Sequence, residues 1–512
     1  MKDLDQSISF FIFPFTMGRS NEKTVLGIDN FQLPQEAIWK LINMRNEGDV
    51  FFSHIQNFLL QSVSGIEGEQ NTIKSSDLFI YSIVDKDWGQ IFGNHSIYEM
   101  EKGGRKAEFF FPNITPSFES PKLIVYPDAS VGILMIPIEM KRSEDGARDN
   151  VNNFNPMSME DLMDFNYCLH KIDNQKPRLV YQIPKNLKEE YRHHFFDKME
   201  KVSKTLGVAY EKQKEEPLSF DLLNLAEKLL SLMGTNYEFT NKKRCHVLTY
   251  MHSNCDEEIT PEEKGDLLRI SRCENKKYQI IENDKAILQT FKNIYLLVSV
   301  EGSALMTNGR LQFLQDFKTD TFQKRYLWLY LLAIIQRYSL INMSKAIGEI
   351  DDTNDKQKTV SLRRLRDLSD RLVRIKVNTC FSDVSDYKQH NDFYHFCIRK
   401  LGVTRLLHDL EQKMATLGEC LKQKADKRSE NMQLLLAIFV AFLTVFSGCN
   451  DGFEFFKNIL NVGDNPNPIW LICIYKVIFT LVFVFSILMI WRYRKELWEI
   501  ISDILQFWKK HH

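Results

Sequence analysis

Three groups of residues have types and spacings suited to chemistry. Cys245, His246, His252 and Cys255 offer thiol and imidazole ligands, but their spacing matches no zinc signature, and alternation around Val247 and Tyr250 reads as an ordinary strand with a turn. Asp351, Asp352 and Asp355 place carboxylates in one polar break, which reads either as hard-oxygen ligands for a divalent cation or as a solvated acidic turn. The third group is Gly448-Cys449-Asn450, with Asp451 and Glu454 just beyond. Magnesium gives up its hydration water reluctantly, so a ring of neutral amide oxygens at a pore mouth holds the hydrated ion through its waters without trapping it. The competing role for Asn450 is capping a helix end, which Gly and Asn commonly do.

Catalytic signatures are missing from the sequence: it has no phosphate-cradling glycine loop, no HExxH, no GxSxG and no kinase motif. The chain is therefore read as a non-enzyme with no covalent cofactor. Its formal charge of -1 argues against direct nucleic-acid binding, and 44% hydrophobic content describes a folded chain. Nine cysteines without a Cys-x-x-Cys pair fit reduced thiols.

Asn450 lies between two apolar stretches, Met432 to Val445 and Ile469 to Trp491. The second has the roughly 20 residues that cross a hydrocarbon core. Reading back from the first in steps of four and three gives Val445, Phe442, Ile438, Leu435, Asn431, Arg428, Lys424, Leu421, Leu417, Met414, Leu410, Leu407 and Val403. This seam predicts one continuous helix from about Asn391 to Ser447, with one edge for partner helices. Leu435, Ile438 and Phe442 are expected to form a hydrophobic constriction that closes by dewetting. Lys424 and Arg428 either face the axis or turn to headgroups and neighbouring subunits as topology anchors. Basic residues before the first stretch and at Arg492, Arg494 and Lys495 place both flanks inside.

These features resemble the CorA family of divalent-cation channels: a large amino-terminal domain, a long stalk helix, an outer loop opening on a Gly-Met-Asn signature, and a basic tail. The chain differs from that signature at Cys449. It is also similar to the CorA-like subset encoded beside type III CRISPR systems, in its enlarged amino-terminal part and eroded signature. The resemblance implies an α/β cytoplasmic domain followed by an all-α stalk and two transmembrane helices per subunit. The expected segments are 1–310 for ligand sensing, 311–383 for a helical hairpin, 384–430 for the stalk, 431–447 and 469–491 for the spans, 448–468 for the outer loop and 492–512 for the tail. It further implies a homopentamer in the bacterial inner (cytoplasmic) membrane, multi-pass with both termini cytoplasmic, in contact with the lipid bilayer.

The expected function is a channel gated by a small nucleotide ligand on its cytoplasmic domain, an antiviral effector activated by the second messenger SAM-AMP. Asn431, Leu435, Ile438, Phe442, Val445, Cys449 and Asn450 would line the pore, while Asp451 and Glu454 attract magnesium or another divalent cation. The alternatives are a housekeeping magnesium transporter and a membrane-anchored sensor without a pore.

In the amino-terminal part, β-branched and aromatic runs predict strands over Ser9–Thr16, Leu78–Val84, Phe109–Phe111, Leu123–Tyr126, Gly132–Met140, Val247–Met251 and Ile294–Val300. Pro127-Asp128-Ala129-Ser130 predicts a hairpin turn. Helical periodicity appears over Gln35–Arg45, Met159–Ile172, Glu189–Leu206 and Phe220–Met233. The apolar core of Arg325–Arg337 is too short to cross a bilayer and predicts a buried helix packed on the stalk. Leu362, Leu365, Leu368, Leu372 and Ile375 make the buried stripe of a second helix, whose other face carries Arg363, Arg364, Arg366, Arg371 and Arg374.

Overall fold

The computed structural model describes residues 3–18, 39–41, 50–60, 78–83, 98–102, 105–110, 121–142, 157–170, 222–231, 233, 236–241, 244–277, 286–351 and 358–420, with isolated positions from 422 to 477. The chain divides into two compact units, Met1–Ala415 and Thr416–His512.

The strands of the first unit are β1 (Asp3–Leu4), β2 (Gln6–Gly18), β3 (Trp39–Leu41), β4 (Phe79–Ile83), β5 (Tyr98–Lys102), β6 (Arg105–Phe110), β7 (Lys122–Tyr126), β8 (Val131–Arg142), β9 (Met157–Ser158), β10 (Asn236–Phe239), β11 (His246–Ser253), β12 (Ile287–Phe291), β13 (Ile294–Val298) and β14 (Gly302–Asn308). Its helices are α1 (Ser53–Leu60), α2 (Met159–Leu169), α3 (Leu222–Ser231), α4 (Pro261–Arg272), α5 (Gln312–Gln315), a π-helix over Lys318–Tyr326, α6 (Leu327–Asp351), α7 (Lys358–Thr379) and α8 (Lys388–Lys400).

One mixed sheet runs in the order β12-β13-β14-β11-β2-β8-β7-β4-β3. Its long central strand β2 is apolar on both faces because both are covered. Phe11, Phe13 and Phe15 join Leu162 and Phe165 of α2 and Ala226 and Leu229 of α3 in one core. Phe10, on the opposite face, meets Phe322 of the π-helix at 5.8 Å. The β7–β8 hairpin turns through Pro127–Ala129, with Ser130 at φ 51°. β11 and β14 are parallel; α4 and the β12–β13 hairpin lie between them in the chain, and the amino terminus of α4 is closed by a capping box between Thr260 and Glu263.

The predicted strands are all present, as are helices within Met159–Ile172 and Phe220–Met233. Gln35–Arg45 is corrected: its described part, Trp39–Leu41, is a strand paired with β4, where Trp39 gains a buried place and donates to Leu229 O at 3.2 Å. Glu189–Leu206 lies outside the described residues.

The long helix is also corrected. α8 ends at Lys400 with Leu401 as its cap, Gly402 takes φ +69°, and a new helix opens at Val403 and is described through residue 420. A left-handed residue breaks helical winding, and glycine supplies it without strain.

The expected membrane architecture is overturned by the helices that are described. Among the described residues, no helix is long and apolar enough to cross a membrane. The most apolar, α6, owes its composition to burial in protein: Leu327–Ile334 are at most 0% exposed, and the helix then turns polar at Gln336 and Arg337. The fold is thus a large mixed sheet with packed helices, and an α/β domain carrying two transmembrane helices, a multi-pass membrane protein and an inner-membrane location are not supported. The stretches expected to span, 431–447 and 469–491, fall outside the described residues apart from isolated positions.

Candidate functional site

Parallel strands end together, and side chains at their carboxyl ends gather on one rim. Here Ser253 of β11 stands beside Asn308 of β14, and antiparallel β2 brings Gln6 opposite His252. The buried His252 is held at both ring nitrogens. Nε2 lies 3.0 Å from Asn254 Oδ1, which only accepts, so Nε2 donates. In the neutral ring Nδ1 then accepts from Thr307 Oγ1 at 2.9 Å, and Thr307 accepts in turn from Tyr250 Oη at 2.9 Å. A chain of hydroxyl and imidazole donors thus runs from the buried face of the sheet to the rim. With both nitrogens engaged, His252 ties the loop after β11 to β14.

The loop after β11 is fixed by Asn254 N donating to Asp5 Oδ2 at 2.7 Å. The loop after β14 is fixed by Gly309 N donating to Ser253 O at 2.9 Å and Arg310 N to Asp256 Oδ1 at 3.0 Å. Gly309 has φ +130°, and a Cβ there would stand 3.2 Å from Asn293 Nδ2 and 3.4 Å from Asp256 Oδ1. Arg310 Nε donates to Asn254 O at 3.1 Å, while its side chain is 77% exposed. Among the described residues the contacts of that side chain are made through Nε, which also lies 3.8 Å from Asp256 Oδ2. Gln315 Nε2 donates to Arg310 O at 3.3 Å, and Gln6 Nε2 to Gln315 O at 3.4 Å. Asn308 is buried, donates through Nδ2 to Glu257 O, and keeps Oδ1 without a partner. Exposed Leu311 and Phe313 follow Arg310 in sequence, and the Phe313 ring meets Phe317 at 5.6 Å.

This rim offers an exposed guanidinium paired at Nε with Asp256, several amides and an exposed aromatic ring. Guanidinium pairs bidentately with phosphate or carboxylate, and an exposed ring accepts a flat partner. The arrangement suits binding of a small anionic ligand.

A path of rings leads from the rim into the helices. Tyr250 stacks with Phe322 at 5.0 Å and with Phe317 at 6.4 Å. Phe317 meets Tyr326 at 5.8 Å, and Tyr326 meets Phe393 and His390 of α8 at 5.0 and 5.6 Å. Burial pushes the Tyr326 phenol up to about 12 and holds His390 down at about 4, with Arg325 adding to the latter. Both stay neutral near pH 7, as packing parts of the path.

A second buried contact joins the sheet to α6. His246 Nε2 lies 2.5 Å from Tyr338 Oη, and burial, then Arg337, lowers His246 to about 3. Beside it Arg337 Nη1 donates to Leu401 O, and Gln336 Nε2 donates to Tyr394 Oη at 2.8 Å and to Thr379 O.

Of the sequence-predicted residues, the Cys245–Cys255 group lies on β11 and the turn after it. Cys245 and His252 are buried and separately bonded, and no metal-holding group of His, Cys, Asp or Glu occurs among the described residues. Asn431, Leu435, Ile438, Phe442, Val445, Cys449, Asn450, Asp451 and Glu454 lie outside the described residues, as do Lys424 and Arg428 and the side chains of Asp351, Asp352 and Asp355. In the sequence Arg310 is too ordinary a basic residue to single out and Gly309 reads as a turn glycine, so the rim is not assembled there. Its signal was the strand ending in His252-Ser253-Asn254 and the Asn308-Gly309-Arg310 turn, which gain meaning only once the two strands are paired. No family model and no curated protein matches the chain.

Proposed function

We propose that this chain is a ligand-responsive effector. Its sheet unit takes a small nucleotide-class ligand at the rim around Arg310, and occupancy passes through α6 and α8 to the helix that opens at Val403. The observation that supports this most is the unbroken path of rings from Tyr250, bonded to the rim through Thr307, to Phe393 on α8. A nucleotide combines the phosphate that Arg310 suits with the flat base that Phe313 suits. SAM-AMP is the activating ligand implied by the resemblance of the sequence to the CRISPR-associated CorA-like subset.

Self-association fits the same reading. Val403 and Leu410 are buried, whereas Met432 and Leu436, each in helical conformation, are 46% and 67% exposed. In a helix, apolar side chains four residues apart share one face, and we assign these two to contact with other copies of the chain.

The test uses the full-length chain. Calorimetry with SAM-AMP should show binding that Arg310→Ala weakens by about tenfold or more, the loss of roughly 1.4 kcal/mol. Cross-linking should capture oligomers. Absence of SAM-AMP binding, or binding indifferent to Arg310→Ala, overturns the proposal.

A further inference from the structure

Between the rim loop and α6 the chain is wound as a π-helix over Lys318–Tyr326, closed by Leu327 N–H bonded to Phe322 O, five residues back. An α-helix bonds four residues back, so each π turn carries about one surplus residue; such winding is rare and tends to mark functional sites. It persists where the surroundings impose it. Here both ends are held by different bodies. Lys318 pairs with Glu139 on β8, and Tyr326 is packed between His390 and Phe393 of α8. Phe322, in the middle and 0% exposed, is pressed against Tyr250 and Phe10. The segment just before it, Arg310 to Asp316, is the rim's own loop: Asp320 N still donates to Asp316 O and Thr319 Oγ1 to the same oxygen.

A residue wound in α fashion rises further and turns through a larger angle than one wound in π fashion. A pull on α5 from the rim side therefore favours α winding, and the added twist must emerge at one end. The ion pair of Lys318 with Glu139 restrains rotation at that end while its backbone follows the loop, so the added twist emerges at Tyr326.

We propose that Lys318–Tyr326 is a register switch, stored in π winding by the resting rim loop and released toward α winding when that loop moves, which turns Tyr326 against α8. This rests on the reading of the rim as the ligand site and adds the means by which occupancy leaves it.

Hydrogen exchange on the full-length chain, read by mass spectrometry without ligand, tests the stored strain. Amides of the buried Thr321–Gln323 and Tyr326 should exchange on the order of tenfold faster than those of the equally buried Leu327–Ile335. Asp256→Ala removes the acceptor that pins Arg310 N and frees the loop; the π segment should then relax, slowing its exchange by roughly fivefold and changing protection around Phe393. Deletion of Thr319, an exposed residue, should slow the same amides, while Thr319→Ala should leave them unchanged. Equal exchange in Thr321–Gln323 and Tyr326 and in Leu327–Ile335 overturns the switch, as does Asp256→Ala without effect on either the segment or α8. None of these measurements needs a ligand, so failure of SAM-AMP to bind would sink the ligand assignment and leave the switch to be judged on exchange alone.

Discussion

At the scale of single residues, burial sets the protonation of the two histidines that bind the sheet and helices together. His246 is lowered to about 3 and His390 to about 4, against 6.5 for a free imidazole. The unfolded chain therefore binds more protons than the folded one below pH 6.5, and stability must fall as pH falls toward the folded values. Stability contributed by keeping both rings neutral is fully present above pH 6.5. Between pH 6.5 and 5 each ring should remove roughly 2 kcal/mol. Chemical denaturation at a series of pH values measures this, and His246→Asn should flatten the slope between pH 5 and 6.5 by about half. Gly132 tests packing at the same scale. A Cβ there would lie 2.1 Å from Phe15 Cζ, so Gly132→Ala forces the ring of Phe15 out of the core, at a cost of about 1–3 kcal/mol in a thermal melt.

At the scale of elements, α7 is fastened to the β7–β8 turn by a charge pair. Asp128 is 1% exposed, Arg374 Nε donates to its Oδ2 at 3.2 Å, and Arg371 donates to its backbone oxygen at 3.4 Å. Arg374→Ala leaves a buried carboxylate short of a donor and should destabilise the unit by about 1–3 kcal/mol, whereas the double variant with Asp128→Asn should recover part of the loss. A double-mutant cycle on those two positions reads the coupling directly. The amino terminus of α4 provides a comparison: Thr260→Ala removes a capping box and should cost about 1 kcal/mol. Both elements were legible to different degrees. The buried stripe of α7, with Leu365, Leu368, Leu372 and Ile375, follows from helical spacing alone. That its arginine face reaches the turn at Asp128 does not, because the two are far apart in sequence. Thr260-Pro261 with Glu263 carried a helix-start signal that periodicity did not single out, since much of α4 is charged.

At the scale of the whole molecule, the same composition has two physical explanations, and only packing chooses between them. Leu327–Ile335 is apolar enough to be at home in lipid for part of a span, yet it lies within protein, sealed between the sheet and α7 and α8. The predicted stalk breaks at Gly402, where Arg337 reaches the carbonyl of Leu401 and ends α8. Replacing Arg337 with Met removes that donor and should loosen the junction, seen as faster exchange of the amides from Phe396 to Leu406. What the sequence by itself determined is local: the strands, the hairpin turn and the striped helices are fixed by side-chain alternation, turn residues and spacing, all of which act over a few residues. The rim is another matter. Gln6, His252, Asn308 and Arg310 come together through one antiparallel and one parallel pairing, and strand partners are chosen by burial of both sheet faces, an energy that depends on the whole chain and is written in no single segment of it.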